Sequence, residues 1–108
     1  LVMFWASWCH KCEQEIPVLI PVYAKYQNRG FEAIGVSLDQ ARSTWVGVIE
    51  QRGMQYPNVS QLQGWDSPIV KVYKITSTPT YFLLDSEGKI VLKPKRIYEV
   101  DAFLAKNL

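Results

Sequence analysis

The sequence predicts an α/β fold: a central mixed β-sheet, built from a parallel strand-helix-strand unit and an antiparallel C-terminal hairpin, with helices flanking it. Three observations carry this. Leu1 to Ala6 is a continuous apolar run of the kind that forms a strand buried on both faces of a sheet. A helix-patterned segment separates it from a second such run, Phe31 to Leu38, and a strand, a helix and a strand in that order imply a right-handed parallel crossover. Finally, Asp85-Ser86-Glu87-Gly88 places a glycine where a turn needs a positive φ, so the flanking Thr80 to Leu84 and Ile90 to Lys93 form a hairpin.

The elements follow in order. From Lys11 to about Asn28, Ile16, Leu19, Ile20, Tyr23 and Tyr26 recur at helical spacing and predict a helix with one buried face. Pro17 and Pro21 each remove a backbone hydrogen bond, so a kink is expected near Pro17. Arg29-Gly30 ends the helix with a C-cap glycine. Ala41 to Arg52 reads as a second helix that buries Trp45, Val48 and Ile49, and Gly53 closes it. Gln55 to Ser67, rich in Gln, Asn, Ser, Gly and Pro, reads as irregular with a short strand at Asn58 to Ser60. Pro68 to Tyr73 is a short helix whose proline sits in the tolerant first turn. Glu99 to Asn107 is a terminal amphipathic helix, acidic in its first turn and with Lys106 in its last, as the helix dipole favours.

The 108 residues are 48% hydrophobic and 13% aromatic, enough to bury one core but hardly two, so residues 1–108 are read as a single domain. A formal net charge of +2 points to neither nucleic acid nor an acidic substrate. Lys89, Lys93, Lys95 and Arg96 cluster, and are read as a solvated edge strand protected by charge against sheet-to-sheet pairing. No apolar stretch is long enough to span a membrane. The chain starts inside a strand without an initiator methionine, and is therefore expected to be the C-terminal part of something longer.

The chemistry lies in Trp8-Cys9-His10-Lys11-Cys12, between the first strand and the first helix. A sulfur in the first turn of a helix meets unpaired backbone N–H groups and the positive end of the helix dipole, which stabilise its thiolate. Spacing of three brings Cys12 over the first turn, close enough to Cys9 to close a disulfide. Structural zinc is disfavoured, because it needs four ligands and only Cys9, Cys12 and His10 are at hand. Covalent haem attachment wants a histidine after the second cysteine, where Glu13 stands. An inert structural bridge this short closes almost no loop and stabilises little. Redox exchange is the stronger reading.

Together, Trp8-Cys9-His10-Lys11-Cys12, then Glu15 and Pro17, then Thr78-Pro79-Thr80 ahead of the hairpin, resemble the thioredoxin superfamily. The similarity is greatest to the TlpA-like bacterial thiol-disulfide oxidoreductases, whose Pro-Thr-x-Phe-Leu-x-Asp-x-x-Gly hairpin is matched by Pro79 to Gly88. The resemblance spans almost the whole chain and implies a thioredoxin fold.

That resemblance also implies roles. Cys9 would be the exposed nucleophile and Cys12 the buried resolving thiol, with the Cys9–Cys12 disulfide serving in place of any cofactor and with no metal. Pro79 would be a cis proline facing the dithiol, and Thr78 would offer backbone groups that pair with an extended substrate strand. Trp8 would shield the site and present a flat apolar surface, whereas Trp5 is read as core, as are Trp65 and Tyr56 under the irregular segment.

Thioredoxins proper carry a buried aspartate where this chain has Met3, so proton handling falls to another group. Asp39, at the end of the second strand, is either that group or a cap for the Ala41 helix. Glu15 is read as a solvent-facing or pairing residue rather than a proton shuttle. A protonated His10, with Lys11, would stabilise the thiolate and make the couple more oxidising.

The implied function is dithiol-disulfide exchange with partner proteins, as a periplasmic or otherwise extracytoplasmic reductant fed by an upstream electron donor. A signal peptide or membrane anchor outside this segment, a monomeric state and no nucleic-acid partner complete the expectation. The alternative is a peptide-binding module that keeps the fold without turnover. A peroxidase of the peroxiredoxin kind would need a threonine at the position of Ala6.

Overall fold

Strand β1 (Val2–Trp5) is the centre of the sheet in the computed structural model, which describes residues 1–108. Its neighbour β2 (Ile34–Ser37) runs parallel to it, with Val2 opposite Ile34 and Trp5 opposite Ser37. On the other side β4 (Thr80–Leu84) runs antiparallel, with Phe4 opposite Thr80 and Val2 opposite Phe82. The edges are β3 (Asn58–Ser60), parallel to β2, and β5 (Ile90–Leu92), antiparallel to β4, giving the order β3-β2-β1-β4-β5. The mixed sheet and the hairpin are as the sequence predicts. Met3, Phe4 and Trp5 are buried, as expected of a strand covered on both faces.

Helix α1 (His10–Tyr26) buries Cys12, Glu15, Ile16, Leu19, Val22, Tyr23 and Tyr26, a stripe at spacings of three and four. It runs through both prolines without a break. Pro17 and Pro21 lie on the exposed face, where water can satisfy the carbonyls of Glu13 and Pro17 that their missing N–H groups leave free.

The second strand begins at Ile34 rather than at Phe31. At this end the Glu32 carboxylate accepts hydrogen bonds from the Ala33 N–H at 3.0 Å and the Tyr23 hydroxyl at 2.9 Å, while the Glu32 carbonyl accepts the Leu1 amine at 2.8 Å, so a side chain takes the outward N–H and only the side facing Leu1 stays paired. A Cβ on Gly35 would collide with the Asn58 amide and the Trp5 indole, which are hydrogen-bonded to each other at 3.1 Å. Trp5 is thereby fixed in the core.

Helix α2 (Arg42–Arg52) ends at Gly53, whose φ of 65° suits a glycine C-cap. Of the residues expected to be buried on it, Trp45 is, whereas Val48 and Ile49 are half-buried against the core. Helix α3 (Pro68–Tyr73) has its expected bounds. Helix α4 (Ile97–Asn107) starts two residues before the predicted Glu99. The Glu99 carboxylate folds back to accept the Lys95 and Arg96 N–H groups, so it is the third residue of a capping box and not the first of the helix. The packing of α4 on α1 includes a 2.9 Å hydrogen bond from the Tyr26 hydroxyl to Asp101.

Candidate functional site

Cys9 is the N-cap of α1, with an extended backbone (φ −87°, ψ 113°), and its sulfur accepts the Cys12 N–H at 3.2 Å. Chain entry at that angle lets β1 deliver the sulfur onto the open end of the helix. The same N–H and the helix dipole would stabilise a thiolate at Cys9 once the pair is reduced. Cys9 and Cys12 form a disulfide across a Cα separation of 5.2 Å.

Cys12 is wholly buried, and Cys9 retains only 6% of its surface, less than an exposed nucleophile was expected to show. In the disulfide both residues belong to the hydrophobic core. His10 and Lys11 project into solvent; His10 lies 4.0 Å from the Glu13 carboxylate.

Beside the disulfide, Trp8 is 55% exposed and lies 6.3 Å, ring to ring, from Trp65, itself 44% exposed. The pair makes an apolar platform that no local sequence signal assembles. Tyr56 is buried as expected, but Trp65 is not packed under its loop: the short 3-10 turn Gly64–Asp66 turns it out onto Trp8. The only hint in the sequence was an aromatic residue within a polar loop.

The Thr78–Pro79 bond is cis. Thr78 and Pro79 line a groove of about 710 Å³ together with Lys11 from α1 and with Lys93, Lys95 and Arg96 from the segment joining β5 to α4. Neither the N–H nor the carbonyl of Thr78 is used in an intramolecular hydrogen bond, so both can pair with an added strand.

Asp39 is fully buried, and its carboxylate is aimed at the chain leading into the dithiol. It accepts the Ser7 N–H at 3.1 Å, the Ser7 hydroxyl, and the Ser37 hydroxyl at 2.5 Å. The capping alternative is overturned: α2 is entered through Ala41, and no side chain caps it. Glu15 is buried rather than solvent-facing, and it is paired. Its carboxylate accepts the Ile97 N–H at 3.0 Å and lies 3.4 Å from the Arg96 Nε, so a residue of α1 caps α4.

The hydroxyls of Tyr56 and Tyr81 are buried without a partner. Burial pushes the Tyr56 hydroxyl far above its ordinary pKa. Tyr81 is pushed up likewise by burial first, and then by the charges of Glu15 and Tyr56. No group of three or more His, Cys, Asp or Glu side chains converges on a point that could hold a metal ion.

Comparison with known proteins gives a consistent picture. Residues 1–90 match the thioredoxin-like family. Over 92 residues the chain is 32% identical to the thiol-disulfide oxidoreductase ResA of Bacillus thuringiensis subsp. konkukian, a match covering 85% of this chain and 51% of that protein. It thus spans about half the length of the curated relatives it matches. Among solved structures, a thiol-disulfide oxidoreductase from Bacteroides fragilis superposes with a TM-score of 0.90 at 30% identity, covering 99% of this chain and 79% of that one. The thioredoxin domain of a thiol-disulfide oxidoreductase from Bacteroides vulgatus does so with a TM-score of 0.89 at 30% identity, covering 98% and 76%.

Proposed function

Because the chain belongs to the thioredoxin-like family, we propose that it is a thiol-disulfide oxidoreductase that reduces disulfides of partner proteins through Cys9 and Cys12. The observation that carries the reading is the Cys9 sulfur at the N-cap of α1, hydrogen-bonded to the Cys12 N–H and bridged to Cys12.

In the reduced protein the Cys9 thiolate attacks one sulfur of a substrate disulfide. A Cys9–substrate disulfide forms and the other substrate sulfur leaves as a thiolate, which takes up a proton. Cys12 then loses its proton and attacks the Cys9 sulfur. The Cys9–Cys12 disulfide forms, the second substrate thiol is released, and two electrons have passed to the substrate. An upstream dithiol must return them for another turnover. An extracytoplasmic setting fits the TlpA-like pattern of the motifs, and the electron donor would then be a protein of that compartment.

Thr78 would align the substrate as an added strand beside Pro79, with Trp8 covering its apolar side chains. His10, exposed next to the nucleophile, would tune the thiolate when protonated. Asp39 acts as a positioning residue: through Ser7 it sets the chain from which Cys9 enters the helix. Glu15 likewise positions α4 and the segment bearing Arg96.

The test is reduction of insulin by dithiothreitol with three proteins. The wild type should speed the reduction and Cys9→Ser should leave it at the rate of dithiothreitol alone; mixed with insulin after the dithiothreitol is removed, Cys12→Ser should accumulate a mixed disulfide on Cys9 and Cys9→Ser should form no adduct. A wild type that binds insulin without speeding its reduction would instead be a peptide-binding module, and adducts on Cys12 in Cys9→Ser would reverse the two roles.

A further inference from the structure

We infer that the groove beside Pro79 selects substrate polypeptides with acidic residues flanking the reactive disulfide. This rests on the oxidoreductase reading and adds the class of substrate it prefers. The groove is lined by four cations, Lys11, Lys93, Lys95 and Arg96, against one carboxylate, Glu15. That surplus exceeds the surplus of the entire chain, which has 12 Lys and Arg against 10 Asp and Glu.

The structure regroups the cations that cluster in the sequence. Lys89 sits in the hairpin turn and pairs with Glu87 at 3.6 Å, outside the groove. Lys93, Lys95 and Arg96 lie past the end of β5 at Leu92, so they do not guard the exposed edge of that strand. Lys11, from between the two cysteines, joins them across the groove.

Carboxylates near these cations are already engaged. Glu15 is buried and bonded to Arg96 and to the Ile97 N–H. Glu99 is held by the N–H groups of Lys95 and Arg96. Lys11, Lys93 and Lys95 form no ion pair, whereas Arg96 is oriented by Glu15 and by the Tyr98 ring. Three free ammonium groups of one sign in a concave site would raise the local concentration of an acidic strand as it pairs with Thr78.

The probes are two peptides that each contain one intramolecular disulfide, flanked by glutamates in one and by glutamines in the other. Reduction of each by the reduced wild-type protein is timed and divided by the rate of the same peptide with dithiothreitol, which removes differences in intrinsic reactivity. At low ionic strength the normalised rate should favour the acidic peptide by about fivefold or more, as expected for a few solvent-exposed charge pairs. At about 1 M salt, where the Debye length is about 3 Å, the preference should vanish. In Lys93→Glu/Lys95→Glu the preference should vanish or reverse at low salt.

Equal normalised rates for the wild type at low salt overturn this inference and leave the oxidoreductase reading standing. A wild-type preference that Lys93→Glu/Lys95→Glu retains unchanged also overturns it. Exchange with neither peptide overturns both.

Discussion

Asp39 and Ser7, 32 residues apart, are joined three ways: both Asp39 carboxylate oxygens lie 3.1 Å from the Ser7 N–H, and the Ser7 hydroxyl donates to one of them. The end of β2 therefore fixes the chain two residues before Cys9. Asp39→Asn replaces an acceptor of three donors by an amide that must turn its own N–H groups toward some of them. It should lower stability by about 1–3 kcal/mol in denaturant unfolding, the cost of leaving buried polar groups unmatched. As a positioning residue it should slow exchange by a similar factor at every pH. A loss confined to one arm of the pH profile would make Asp39 a proton carrier instead.

Glu15 is the only side chain that satisfies the Ile97 N–H, the first of α4. Glu15→Ala should therefore leave that buried donor unpaired and cost about 1–3 kcal/mol, read from the denaturant midpoint. Glu15→Gln keeps an acceptor in place and should cost less. The exposed Arg96 partner contributes little, because screening by water leaves such pairs worth about 1 kcal/mol or less. If the two variants were equally destabilised, charge rather than capping would be what Glu15 supplies.

Tyr56 and Tyr81 predict an alkaline sensitivity. Both hydroxyls are pushed above the ordinary value of 10.0, so in base the unfolded chain releases these protons before the folded one does. Stability from this source is complete below about pH 10 and falls as the pH rises beyond it. The double variant Tyr56→Phe/Tyr81→Phe should be neutral or stabilised by about 1 kcal/mol at neutral pH, since it removes two unpartnered buried hydroxyls. It should also flatten the decline of the unfolding free energy above pH 10. An unchanged alkaline slope would place these hydroxyls in contact with water.

These relationships mark where a sequence stops being readable. The central strand, the dithiol at a helix start, α3 and the hairpin around Asp85 to Gly88 all have local signatures, because apolar runs, capping positions and turn residues act over a few neighbours. The partners of Asp39 and Glu15 do not. Ser7 and Ile97 lie 32 and 82 positions away, and only the packed sheet and helices bring them within reach. Trp65 meets Trp8 for the same reason, across the segment that follows β3. The cations near the C-terminus were visible as a cluster, but strand pairing decided which of them flank a groove and which sit in a turn. Element ends moved where a carboxylate engages backbone N–H groups: Glu32 takes that of Ala33 ahead of β2, and Glu99 reaches back to those of Lys95 and Arg96, so α4 begins before it.

The claim on which the functional account depends is that the helix N-terminus makes Cys9 the nucleophile. The most direct measurement is a thiolate titration of the reduced protein, followed by ultraviolet absorbance with pH and assigned using Cys9→Ser and Cys12→Ser. The account predicts a Cys9 pKa between about 3.5 and 7.5, with Cys12 ionising later. A Cys9 pKa at or above the free-thiol value of about 8.5 would contradict it.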